Sequence, residues 1–133
     1  MIKRTPYTTV MVSGGFDPIH VGHIRLIRKA AEYGDVIVAA NSDEWLYRRK
    51  GFNSMGFNER KEVLMAIKGV VDVVEVDDRD DTVRSALREY RPTYFANGGN
   101  RTQDNTPEKI ICEELGIEML WDIGGAKLER AHD

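Results

Sequence analysis

The chain contains one cysteine, Cys112, so neither an internal disulfide nor a cysteine-built zinc site holds it together. A lone thiol suits a reducing compartment and reads as a small buried apolar side chain. No apolar run approaches the roughly 18 to 20 residues that span a bilayer, and Met1-Ile2-Lys3-Arg4-Thr5-Pro6 lacks the apolar stretch of a secretion signal. These absences predict a cytoplasmic protein without membrane contact. Excess charge of one sign is missing too: 19 Lys and Arg stand against 22 Asp and Glu, a net charge of −3. That balance argues against a broad footprint for nucleic acid. There is no fixed-period repeat and no low-complexity tract. What is present is core material: 133 residues, 41% hydrophobic and 31% charged, predict one folded domain over residues 1–133, with an irregular tail after about residue 125.

The apolar runs alternate with amphipathic ones. Tyr7 to Ser13 is β-branched and apolar, and Gly14-Gly15 stops it, as expected of a buried strand entering a tight turn. From Val21 to Tyr33, Ile24, Ile27, Ala30 and Ala31 recur at helical spacing, with Arg25, Arg28, Lys29 and Glu32 on the other side. Asp35 to Ala40 is a second strand. Asn41-Ser42-Asp43-Glu44 offers caps for a short helix through Trp45 and Tyr47, and Arg48 to Gly56 reads as a basic, glycine-punctuated loop. Asn58 is the expected cap of a helix running to Lys68. Val70 to Val76 is a third strand. A helix from Thr82 to Tyr90, capped by Asp81, is closed by Pro92. Thr93 to Ala96 is a fourth strand, Thr106-Pro107 opens a helix ending at Gly116, and Ile117 to Trp121 is a fifth strand. Strict alternation predicts an α/β fold, a doubly wound, Rossmann-like domain on a five-stranded parallel sheet.

In such sheets ligands bind beyond the carboxyl ends of the strands, where helix-start amides favour anions. The first such turn reads Gly14-Gly15-Phe16-Asp17-Pro18-Ile19-His20-Val21-Gly22-His23. It matches neither the dinucleotide fingerprint G-x-G-x-x-G nor the P-loop G-x-x-x-x-G-K-[ST]. Two imidazoles three residues apart flank Gly22 instead. If the helix starts near Val21, His23 lies in its first turn and His20 just before it, so both can face a phosphate together with the free amides, and Gly22 leaves room for that approach. Three readings fit the pair: donors to a phosphate and to charge developing at phosphorus, metal ligands together with Asp17, or ordinary turn and cap residues.

Phe16-Asp17-Pro18-Ile19-His20-Val21-Gly22-His23 resembles the F-D-x-x-H-x-G-H signature of the cytidylyltransferase-like nucleotidyltransferases, among them glycerol-3-phosphate cytidylyltransferase and heptose-1-phosphate adenylyltransferase. Asn41 to Glu44, Lys50-Gly51, Asn58-Glu59-Arg60, Val70-Val71-Asp72 and Asn97-Gly98-Gly99 follow in the order of the small cytidylyl and heptose-phosphate types, so the resemblance covers Val10 to Gly125. It implies transfer of a nucleoside monophosphate from CTP or ATP to a phosphorylated sugar, polyol or amino alcohol, with Mg2+ and release of pyrophosphate. The partners implied are the triphosphate, the acceptor and a homodimer mate.

The same resemblance implies site residues. His20, His23 and Lys50 would be catalytic. Gly14, Gly15, Phe16, Asp17, Gly22, Asn97, Gly98, Gly99 and Lys127 would meet the nucleotide, and Arg49 and Arg60 the acceptor or a phosphate. Asp17 could equally brace the turn, Phe16 pack, and Arg60 form a structural ion pair. Asn100 stands where many relatives carry aspartate. The main departure is near the C-terminus, where Ile123-Gly124-Gly125-Ala126-Lys127-Leu128-Glu129-Arg130 keeps glycines and a lysine but none of the serines and threonines usual there. That loss leaves a noncatalytic nucleotide-binding module as the alternative. A hydrolase using a histidine-built metal site has only one further histidine to draw on, His132.

Overall fold

Apolar runs bounded by glycine or polar turns become strands: β1 (Thr9–Gly14), β2 (Asp35–Ala40), β3 (Val70–Glu75), β4 (Tyr94–Ala96) and β5 (Glu118–Leu120). The structure is a computed structural model that describes residues 8–99 and 106–124. All strand pairs are parallel, in the order β3-β2-β1-β4-β5. The chain winds outward from β1 to β3, then returns to the far side of β1 for β4 and β5. The switch point therefore lies between the carboxyl ends of β1 and β4, where a doubly wound sheet leaves a crevice.

Period-two alternation along the strands divides the core into two. Val10, Val12, Val36, Val38 and Val73 face Ile27 and Ala30 of α1 (Val21–Ala30) and Leu64 of α3 (Phe57–Met65). Met11, Ile37 and Phe95 face Leu87 of α4 (Arg84–Tyr90) and Ile111 and Cys112 of α5 (Lys109–Leu115). Helices thus cover both faces, and β1 and β2 carry near-continuous apolar runs because they are buried on both sides.

Helix boundaries differ from the sequence expectation: α3 ends at Met65, short of Lys68, α4 starts at Arg84, past Thr82, and α5 starts at Lys109, past Thr106-Pro107. The first helix stops at Ala30, and Tyr33 lies in a turn whose N–H donates to the Ala30 carbonyl (2.9 Å). Arg48, Arg49 and Lys50 are not loop residues but the last turn of α2 (Asp43–Lys50). Ser42 accepts from Trp45 N–H at its start, Asp43 and Glu44 sit at the positive end of its dipole, the three cations sit at the negative end, and Gly51 closes it at φ 80°. Asn58 is not a cap, since Gly56 precedes the helix and Asp43 Oδ2 accepts from Phe57 N–H (3.3 Å). Asp81 is not a cap either: it turns the chain at φ 63°, and a carboxylate from another element, Glu108, accepts from Val83 N–H (3.1 Å).

Gly34 lets α1 return closely to β2. A Cβ built there would lie 2.6 Å from the Thr8 carbonyl oxygen, a backbone atom that cannot swing aside. Gly34→Ala should therefore cost about 1–3 kcal/mol in denaturant unfolding; an unchanged midpoint would mean that β1 and β2 tolerate separation at this corner.

Candidate functional site

His20 is the N-cap of α1, and its Nδ1 accepts from Gly22 N–H (3.0 Å). His23, in the first turn, accepts from His20 N–H on its own Nδ1 (3.1 Å). The imidazoles thus form a reciprocal capping box of a kind usually built from Ser or Thr with Glu. Their rings stack with centroids 3.9 Å apart and 25° between planes. The edge of His23 meets Phe16, which is wholly buried with centroids 4.9 Å apart. The expectation that the helix-start amides face a ligand needs correction here, because the N–H groups of His20 and Gly22 bond to the two imidazoles. Phe16, at φ 54°, points its ring into the core, which leaves only its backbone for a nucleotide.

Asp17 does not face outward. Its carboxylate is fully buried and accepts from Ser54 N–H (2.7 Å) and Met55 N–H (2.7 Å), clamping the α2–α3 connection onto the β1–α1 turn. Lys50 Nζ donates to the Asp17 carbonyl and lies 3.4 Å from Asp17 Oδ2, its side chain only 11% exposed. The lysine expected to meet a phosphate is thus held against an internal carboxylate.

Arg60 is buried outright, and its guanidinium bonds within the protein. Nη1 donates to the carbonyls of Gly15 (2.7 Å) and Asn41 (2.8 Å), Nε to that of Met55 (3.1 Å), and Nη2 to Asp43 Oδ1 (2.8 Å). Of the two roles open to it, the geometry realises the structural ion pair and not the acceptor contact. Burial pushes the Asp43 carboxyl up, but the Arg60 hydrogen bond, the Phe57 N–H and the Arg60 charge together hold it below the usual carboxylate range.

At the switch point lies a cavity of about 360 Å³, lined by Ser13, Gly14 and Gly15 from β1, His23 from α1, Asn41 after β2, and Ala96, Asn97 and Gly98 at the end of β4. Trp45, Arg49, Asp81, Thr82 and Glu108 also line it. Arg49 lies over the Trp45 ring, 5.0 Å from its centroid, and has no ion pair among the described residues. It is therefore the α2 cation that faces the cavity. The Trp45 Nε1 is buried without a hydrogen-bond partner among the described residues. Asn97 sits as expected after β4, but its side-chain amide donates to the Leu120 carbonyl (3.1 Å) and the Phe95 carbonyl (3.3 Å), so its role is to fasten β4 to β5. Gly99 is exposed beside Gly98. A larger depression of about 840 Å³ runs beside α1, lined by Arg25, Lys29, Lys68 and Gly124, without His20 or His23 on its wall.

Sequence reasoning missed Trp45, Asp78, Asp81, Thr82 and Glu108. Asp78, almost wholly buried, accepts from Asn41 Nδ2 (3.0 Å), Ser42 N–H (2.8 Å) and Ser42 Oγ (2.7 Å), fixing the end of β2. An acidic turn 36 residues away carries no local sign of that task. Cys112 is buried, and burial followed by the Glu108 charge pushes its thiol up to about 11, so it packs as an un-ionised apolar group. Asn100, Arg101, Gly125, Lys127, Arg130 and His132 lie outside the described residues.

No group of three His, Cys, Asp or Glu among the described residues could hold a metal ion. Asp17, the carboxylate of the metal reading, already accepts backbone N–H groups on both oxygens. The described residues thus build no all-protein cage for Mg2+, an ion that is commonly held by one or two carboxylates together with substrate phosphates. No helix among the described residues is long and apolar enough to cross a membrane.

A family model described as cytidylyltransferase-like matches residues 11–121. The chain is 34% identical over 121 residues to the bifunctional protein HldE of Geobacter sulfurreducens, covering 87% of this chain and 24% of that protein. It is 31% identical over 116 residues to the D-beta-D-heptose 1-phosphate adenylyltransferase of Bordetella bronchiseptica, covering 85% of this chain and 71% of that one. The chain thus spans about a quarter of the length of the HldE relative, and most of the other. Among solved structures, the lipopolysaccharide core biosynthesis protein of Thermoplasma volcanium superposes with a TM-score of 0.71 at 22% identity, over 86% of this chain and 93% of that one, a likeness of fold.

Arg60→Met should lower unfolding free energy by about 2–4 kcal/mol, because three carbonyls lose buried donors. The ion pair adds little, since the Asp43 side chain is 46% exposed and screened by water. The pH response gives a second readout. A carboxyl lowered in the folded state stabilises fully above its unfolded pKa, about 3.9, and that contribution is lost as pH falls through the lower folded value. The variant should shrink this acid step, the Phe57 N–H bond remaining, and a step of undiminished size in urea titrations would show that Arg60 does not set the Asp43 carboxyl.

Proposed function

The chain belongs to the cytidylyltransferase-like family, and from that premise we propose that it transfers a nucleoside monophosphate from a triphosphate to a sugar phosphate, releasing pyrophosphate. The observation that carries this reading is the stacked His20–His23 pair at the start of α1, with His23 on the wall of the switch-point cavity. ATP is the donor favoured by the name of the adenylyltransferase relative, and a phosphorylated heptose or similar sugar the acceptor.

The chemistry asks little of the protein as a base. A phosphate monoester has its second pKa near about 6, so the attacking oxygen is already ionised at neutral pH. The remaining work is alignment and stabilisation of charge on the transferred phosphorus. In this reading His20 and His23 donate to the phosphoryl oxygens, Gly14 and Gly15 let the backbone come close to the phosphates, and Arg49, spread over Trp45, neutralises the acceptor phosphate. Trp45, Thr82 and Asp81 contribute the far wall, with polar groups suited to sugar hydroxyls. Magnesium enters with the nucleotide as part of the substrate. Lys50 and Arg60 act indirectly, by holding the β1–α1 turn and the α2–α3 connection in register.

The test is pyrophosphate release with magnesium, ATP and CTP in parallel, against heptose, hexose and glycerol phosphates. Release should require one triphosphate and one acceptor, and His23→Ala should reduce turnover by about 100-fold or more. Triphosphate binding with no release across the panel would favour a noncatalytic module. Arg49→Ala should raise KM for the acceptor with little change in kcat, as expected of a contact made equally in ground and transition states; unchanged KM would remove Arg49 from the site.

A further inference from the structure

We propose that the start of α1 sets the protonation of its own histidine pair: the backbone N–H groups of Gly22 and His20 hold His20 and His23 as neutral imidazoles whose single proton sits on Nε2. The mechanistic consequence rests on the nucleotidyl-transfer reading above, whereas the assignment itself rests on geometry.

Three observations converge on it. Each Nδ1 accepts a backbone N–H, at 3.0 Å for His20 and 3.1 Å for His23, and a nitrogen that accepts cannot carry a proton. An Nδ1–H tautomer or an imidazolium would set two hydrogens face to face and open the capping box. The rings stack with centroids 3.9 Å apart, a separation at which two cations would repel strongly. The pair also sits at the positive end of a ten-residue helix dipole, which disfavours added positive charge. Among the described residues, the charged groups that share the cavity with His23 are Arg49, Asp81 and Glu108; of the carboxylates, Asp81 lies 3.5 Å from Arg48 and Glu108 accepts from Val83 N–H.

With Nδ1 accepting, the donor nitrogen of each imidazole is Nε2. The pair then hydrogen-bonds to phosphoryl oxygens without taking or giving up a proton, as suits attack by an ionised phosphate. Gly22 acts as a positioning residue through its N–H. Among the described residues, the positive charge on the cavity wall comes from Arg49, not from the imidazoles.

The experiment is long-range 1H–15N correlation of histidine side chains in the uniformly 15N-labelled full chain at mildly alkaline pH, with His20 and His23 assigned by loss of signals in His20→Asn and His23→Asn. Both should show a bare Nδ1 and a protonated Nε2. An Nδ1–H or imidazolium pattern in either would overturn the proposal. Stability gives an independent readout, since asparagine places Oδ1 where His20 holds Nδ1. His20→Asn should unfold near the wild-type temperature while His20→Ala unfolds several degrees lower, and equal losses in the two variants would mean that the cap does not exist. If the Nε2–H pattern holds while no triphosphate and acceptor release pyrophosphate, the tautomer assignment stands and the transferase reading falls.

Discussion

Arg60 is the largest fully buried side chain among the described residues, and its guanidinium fastens three stretches of backbone at once. Gly15 belongs to the β1–α1 turn, Asn41 to the end of β2, and Met55 to the connection between α2 and α3. A planar fork with five N–H donors can bridge carbonyls arriving from different directions, whereas an ammonium group cannot fix such angles. The charge stays compatible with burial because Asp43 accepts from the same fork and is itself half in water. This bracket joins all three stretches through one side chain.

Asp17 and Lys50 add a second brace beside it. Asp17 receives two backbone N–H groups from the 54–55 segment, and Lys50 supplies the balancing charge from the last turn of α2. The cations of this region therefore divide by position. Arg60 and Lys50 hold backbone, Arg48 reaches Glu44 and the Asp78 carbonyl, and Arg49 is left to the cavity, supported on the Trp45 ring. Neighbouring residues on a helix point about 100° apart, so Arg48, Arg49 and Lys50 cannot share one partner.

The switch-point crevice is polar where it matters and rigid where it must be. Its floor is the carboxyl end of β1 and β4, locked by the apolar faces of two core layers, and its rim is held by buried carboxylates at Asp17, Asp78 and Glu108. Each of these accepts backbone N–H groups, so each positions a loop. That arrangement leaves few side chains turned toward a ligand: His23, Arg49, Trp45 and the hydroxyl- and carboxylate-bearing Thr82 and Asp81. A site so composed suits positioned donors and a charged substrate better than nucleophilic or acid–base catalysis.

The sequence by itself determined the strands, most of the helices and the family, because these are written in local signals. Apolar runs stopped by Gly14-Gly15, the 3.6-residue period after Val21, and the His20-Val21-Gly22-His23 spacing act within one or two turns of chain. Their side chains need no distant partner to declare a type or a face. The helix starts at Gly56 and Val83 were less legible, since the carboxylates that accept N–H groups there, Asp43 and Glu108, come from distant positions in the chain. What only the tertiary structure decided is which polar residues hold the site and which face it. Arg60 meets Gly15 across 45 residues, Asp17 meets Met55 across 38, and Asp78 meets Ser42 across 36. A charge in a sequence carries no record of its partner; direction and burial assign it, and both arise only when β1, β2 and β4 bring their carboxyl ends to one crevice.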